Sequence, residues 1–217
     1  MRAILIAAAL TAAALMIAAL MAMLNSAEAS RIQSCLGAIK AYGDSLNKRT
    51  DLPPNAAAGG IYAFVNTKYN DRKGSYSTQL VGSKADIHQC TQFGVHSAAI
   101  QTIIAFDSEP LPIVFKSQAQ CMAVMVYLRP KIESTFGMEQ AEKIGASLGT
   151  AMGQSGLVFK YILKISDLSF QLLREEARKL IAADSSPTAF DEWVRACDRM
   201  GVDVRPIINK LKKSGRL

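Results

Sequence analysis

Apolar positions recur at a spacing of three to four residues along most of this chain, and two stretches depart from that pattern. After Met1-Arg2, residues 3–24 carry no charge, and Asn25-Ser26-Ala27-Glu28-Ala29 follows. Helical spacing then begins. Ile32, Cys35, Leu36, Ile39, Gly43 and Leu46 share one face of a helix predicted over 30–47, with Pro53-Pro54 beyond its end. The second departure lies at 61–81. Residues 61–69 and 75–81 are rich in β-branched and aromatic side chains, and Asn70-Asp71-Arg72-Lys73-Gly74 between them is turn chemistry. A small β-hairpin fits this stretch, and a short helix over 61–70 fits the same residues equally well.

The remainder reads as helix. One helix starts after Ser83, with Asp86 three residues on as a partial capping box, and continues to 106 before Asp107-Ser108-Glu109-Pro110 breaks it. Another is expected over 114–128, stopped by Pro130. Residues 137–165 read as one or two helices and 166–181 as their amphipathic continuation. Ser186 as N-cap and Pro187 in the first turn open a helix that ends near Gly201, and a short basic helix closes the chain. The expectation is an all-α or α-dominated single domain of about six to eight helices.

The uncharged N-terminal run changes the setting of everything after it. A basic start, an apolar core and Ala27-Glu28-Ala29 make residues 1–29 a signal peptide, with small residues where a signal peptidase reads them. The exported domain would then be residues 30–217, and a bacterial periplasm is the expected compartment. The run is also long enough to span a bilayer needing ~20 residues, so an uncleaved inner-membrane anchor is the alternative. A lipoprotein signal fits worst, because Glu28 and Arg31 separate Cys35 from the apolar run. About 188 residues remain after residue 29, enough for one full hydrophobic core.

Charge adds one candidate surface. The formal net charge is +7. From residue 205 onward come Arg205, Lys210, Lys212, Lys213 and Arg216 with no acid among them. Such a tail suits an anionic membrane surface. It equally suits the negative end of a helix dipole in solvent, which is the plainer reading. Nucleic acid is not an expected partner for an exported protein.

Cys35, Cys90, Cys121 and Cys197 each fall on the apolar face of a different predicted helix. In an oxidising compartment an even count favours two disulfides. Cys90 lies about 17 residues before the break near 109–112 and Cys121 about 9 after it. In an antiparallel pair that mismatch is ~12 Å along the axis, beyond the ~7 Å that a disulfide allows between Cα atoms. Cys35–Cys90 with Cys121–Cys197 is preferred, and Cys35–Cys121 with Cys90–Cys197 remains open.

Candidate chemistry is sparse. No C-x-x-C pair exists, and His88, Cys90 and His96 are too poorly arranged for a metal, so no metal or cofactor is expected. His88 and His96 sit on the predicted Cys90 helix without an evident catalytic partner. Ser45-Leu46-Asn47-Lys48 matches S-x-x-K and Lys213-Ser214-Gly215 imitates K-T-G, but the second triplet lies in a terminal basic tail instead of an inner strand. Glu175-Glu176 and Asp191-Glu192 lie among arginines at ion-pair spacing.

One feature is sharper. Gly145, Gly149 and Gly153 recur every fourth residue in an uncharged stretch from 144 to 159. Each glycine costs a helix about 1 kcal/mol relative to alanine, so a stripe of three needs a compensating contact. Tight helix packing inside the core is the first expectation, and a self-association or lipid-contacting face is the second. A loop between two helices is the third. With no catalytic motif, the expected role is an exported binding module such as an accessory, inhibitor or immunity-like protein acting on another envelope protein. Association with a membrane surface is the alternative, and a small envelope hydrolase using His88 or His96 comes last. Oligomeric state is not legible.

Overall fold

Helix α1 spans residues 30–46, and its apolar stripe is the one expected: Cys35, Leu36, Ile39 and Leu46 are fully buried. The computed structural model describes residues 30–53, 82–163 and 168–217, and among these every regular element is helical. The N-terminal segment 1–29 and the hairpin expected near 61–81 lie outside the described residues.

Gly82 meets α1 backbone to backbone. A Cβ built at Gly82 would stand 2.8 Å from both Gly37 Cα and Ser34 O. Only a residue without a side chain fits there, and Gly37 supplies the matching gap. A 3-10 helix, Lys84–Phe93, follows, opened by Asp86 accepting a 2.9 Å hydrogen bond from the Ser83 N–H. The single helix expected to run to residue 106 is instead broken at Gly94. Its φ of 83° lets Gly94 N–H bond Thr91 O and Val95 N–H bond Cys90 O, which terminates the turn. Helix α2, Ser97–Ser108, restarts with His96 as N-cap, its Nδ1 accepting from Ala98 N–H at 3.1 Å.

Helix α3, Leu111–Phe136, runs straight through the proline expected to stop it. An interior proline costs a helix about 3 kcal/mol, but residues beyond it are anchored. Pro130 is exposed on the outer face, while Leu128 and Ile132 on either side of it are buried. Tyr127, one turn before, joins Phe190 and Trp193 in an aromatic cluster with ring centroids 5.2 and 6.3 Å away. Each buried large apolar side chain contributes roughly 1.5–3 kcal/mol, so two or three outweigh the proline.

Helix α4, Met138–Leu163, returns antiparallel after the Gly137 turn and packs on both α2 and α3. Its C-terminal half carries Val158, Phe159 and Ile162 into the core, where Phe159 meets Phe106 edge-on at 4.8 Å. Helix α5, Leu168–Ala183, packs against α3. Helix α6, Pro187–Arg199, begins as expected, with Ser186 Oγ accepting from Ala189 N–H at 3.2 Å. The terminal helix α7, Arg205–Lys213, buries Ile208 and Leu211. The long α3 is apolar enough to cross a membrane by length and composition, yet 56% of that stretch is buried against other helices, as in a soluble core.

Between α2 and α3 the chain is held at a corner. Arg49 donates to the carbonyls of Phe106 and Glu109 at the end of α2, the latter at 2.7 Å. It also pairs with Asp51, whose Oδ2 accepts from Leu111 N–H at 3.2 Å at the start of α3. One residue covers orphan carbonyls and its neighbour an orphan amide.

Candidate functional site

The antiparallel pair α3 and α4 does not close along its whole length. Toward the Gly137 turn a groove of about 410 Å³ opens between them, with Arg174 of α5 on its edge. The lining from α3 includes Met122, Met125, Val126 and Ile132, recurring at the three-to-four spacing of one face. From α4 come Met138, Ala141, Gly145, Leu148, Gly149 and Met152. Met122, Ile132, Leu148 and Met152 form the buried walls, and Met138 stands at the mouth, 64% exposed. Four methionines give the surface soft, unbranched side chains that conform to an apolar guest.

Two glycines of the stripe, Gly145 and Gly149, line this opening. Among the described residues, a Cβ built at Gly145, Gly149 or Gly153 would have nothing within 4 Å. Among the described residues no neighbouring backbone approaches them, so the tight packing expected within the core does not occur there. The alternative of an interhelix loop also fails, since all three lie inside α4. Gly145 and Gly149 leave bare backbone along the groove.

Charges ring the opening. Arg129 Nε donates to Glu133 Oε1 at 2.9 Å, an exposed i,i+4 pair. Arg174 and Glu142 are exposed and have no partner among the described residues.

The same helix faces become polar one turn further in. Gln118 precedes Met122 by four residues, and Ser155 follows Met152 by three. Both are fully buried, as is Thr102 of α2. Thr102 Oγ1 lies 2.7 Å from Ala98 O and 2.6 Å from Ser155 Oγ, which lies 2.9 Å from Gln118 Oε1. Two hydroxyl protons cannot serve three contacts, and Gln118 Nε2 has no partner among the described residues. Turning the amide by 180° supplies the missing proton: the amide donates to Ser155, Ser155 to Thr102, and Thr102 to the Ala98 carbonyl. The apolar lining thus gives way to a polar layer that holds α2, α3 and α4 together.

The cysteines form the preferred pairs, Cys35–Cys90 with Cα atoms 5.0 Å apart and Cys121–Cys197 with Cα atoms 4.5 Å apart. They join α1 to the 3-10 helix and α3 to α6. Cys90, expected on the helix adjacent to that of Cys121, lies instead on the 3-10 helix ahead of α2, so the register mismatch expected to separate the two does not apply.

Of the basic tail, Arg205 is paired with Asp198, whereas Lys210, Lys212, Lys213 and Arg216 are exposed without a partner among the described residues. Three of these lysines sit in the last turn of α7, at the negative end of its dipole.

The histidines do not share a helix. His88 is exposed on the 3-10 helix and His96 is occupied as a cap. Among the described residues no hydroxyl or carboxylate bonds either ring. The S-x-x-K serine has a different lysine: Lys84 Nζ donates to Ser45 Oγ at 2.9 Å and to Asp107 Oδ1 and Oδ2 at 2.8 and 2.7 Å. With its protons spent on these acceptors, Lys84 anchors α1 and α2 to the 3-10 helix and is not placed to take a proton from Ser45. Tyr42, under the Lys84 ammonium at 5.2 Å, has its phenol held above the ordinary range by burial and by the Asp107 charge. No group of three or more metal-ligating side chains occurs among the described residues.

The fold and the groove define a disulfide-bridged helical protein with an open apolar cleft. The chain matches no protein-family model, no curated protein and no solved structure.

Proposed function

We propose that this is an exported binding protein and that the groove between α3 and α4 holds an apolar ligand. The observation that carries the reading is Gly145 and Gly149, whose cost to the helix is not offset by any packing contact among the described residues. A helix that keeps such glycines beside methionine-rich walls has open, guest-sized space where side chains would otherwise stand. The groove lies within the usual range of small-ligand sites, about 300–1,000 Å³. Export is supported by the N-terminal run and by two disulfides that an oxidising compartment would preserve.

The test is the binding of 1-anilinonaphthalene-8-sulfonate to the folded, oxidised protein. Wild type should enhance the dye's fluorescence, and Gly149→Leu, which fills the groove, should abolish the enhancement without unfolding the chain. No enhancement by wild type, or equal enhancement by both, would refute the groove as a binding site. A second reading, contact with an anionic membrane through the end of α7, is favoured by the exposed, unpartnered Lys210, Lys212, Lys213 and Arg216. It requires cosedimentation with anionic vesicles that salt weakens.

A further inference from the structure

We infer that the occupant of the groove is a long-chain carboxylate, with one unbranched acyl chain along α3 and its carboxylate at Arg174. The inference rests on the groove being a binding site and names what it binds.

Size selects a single chain. The lining from Met122 to Glu133 extends over ~16 Å of α3 at 1.5 Å per residue. A volume of about 410 Å³ spread over that length leaves about 25 Å² for the centre of a water-sized sphere, or roughly 55 Å² once its ~1.4 Å radius is added, against roughly 80–110 Å² for a helix ~10–12 Å across. A partner helix would rest on the rim and not enter. A thread-like hydrocarbon fits.

Wall chemistry selects a guest without hydrogen-bonding groups along its body. Met122, Leu148 and Met152 offer only apolar atoms, and the backbone bared at Gly145 and Gly149 lies within a continuous helix. Its peptide groups are bonded along the helix axis, so a polar guest would gain no partner there to replace water.

Charge selects the head. Arg129 is engaged by Glu133, which leaves Arg174 as a lining cation without a partner among the described residues. A guanidinium presents a flat fork that matches a carboxylate with two parallel bonds. The head should carry one negative charge. A phosphate monoester, near −1.5 to −2 at neutral pH, would carry more charge than one guanidinium neutralises. The chain's positive balance favours approach of an anion.

The experiment loads the oxidised protein with cis-parinaric acid and follows its displacement by palmitate, hexadecanol, lysophosphatidylcholine and an amphipathic helical peptide. Palmitate should displace the probe best. Arg174→Gln should weaken palmitate about tenfold, the effect of losing one charge-assisted contact, and leave hexadecanol unchanged. Gly149→Leu and, independently, Gly145→Leu should block every competitor while melting no lower than wild type. If hexadecanol, lysophosphatidylcholine or the peptide competes as well as palmitate, or Arg174→Gln has no effect, the carboxylate assignment is overturned and the groove remains. If the probe never binds, or binds regardless of both leucine variants, the groove itself falls.

Discussion

Alanine in place of Gly149 should make this protein more stable. The backbone there is ordinary helix, and glycine leaves it about 1 kcal/mol less favourable than alanine. Such a gain is cancelled wherever the new methyl group meets a neighbour, but among the described residues a Cβ at Gly149 meets nothing within 4 Å, and the same holds at Gly145. Each substitution should therefore add roughly 0.5–1 kcal/mol, and with no shared neighbour the double variant should add about 1–2. Gly82→Ala is the internal control, because its methyl would stand 2.8 Å from the α1 backbone and neither side can yield cheaply. It should lose about 1–3 kcal/mol, as overpacked cores do. Urea unfolding of the oxidised protein reads both effects as midpoint shifts at constant slope. A neutral or destabilising Gly149→Ala would mean that something covers the stripe, and the reasoning behind the groove would fail. The methyl groups should also narrow the cleft, so these variants should bind an apolar probe more weakly while unfolding later, a trade of stability against function.

Four further outcomes follow from other parts of the protein. Pro130→Ala on the exposed face of α3 should raise stability by about 2–3 kcal/mol in the same assay; no gain would show that α3 is locally bent to suit the proline. Asp51 has its carboxyl lowered to about 2, first by the hydrogen bond from Arg49 and also by the Leu111 N–H. Because its folded value lies below its unfolded one, its contribution is complete above about pH 4 and disappears as the pH falls through 2. Solvent screening of this partly exposed pair limits it to about 1 kcal/mol, so wild type and Asp51→Asn should differ at pH 6 and converge near pH 2. A gap that stays constant over that range would exclude the linkage. Intact mass from the native compartment should show residues 1–29 removed and four hydrogens missing, and a full-length chain with free thiols would defeat the export reading. Breaking Cys121–Cys197 by double alanine substitution should cost about 2–5 kcal/mol, and an unchanged urea midpoint would show that the bridge adds nothing.

Helical spacing was enough to place most of the fold, because it records which side chains share a face. It located α1, the Ser186 cap of α6 and the four buried cysteines. It failed where one residue's local preference was opposed by tertiary contacts or backbone geometry. Pro130 reads as a stop, but Leu128 and Ile132 are held by the core on either side of it. Gly94 reads as one helix position among many, whereas its positive φ divides the 3-10 helix from α2. The candidate site shows the same limit more sharply. Periodicity put Gly145, Gly149 and Gly153 on one stripe and correctly marked their cost, but a stripe says nothing about what stands opposite it. The close backbone contact occurs at Gly82, a solitary glycine outside any periodic pattern, and the periodic glycines meet none of the described residues. A lone glycine and a repeated one look alike in sequence, since the distance to a neighbour far along the chain is set by the packing of helices. That is why Gly145 and Gly149, nominated for packing, line the cleft instead, and why Arg174, isolated in sequence from every other lining residue, could not have been assigned to it before the fold was known.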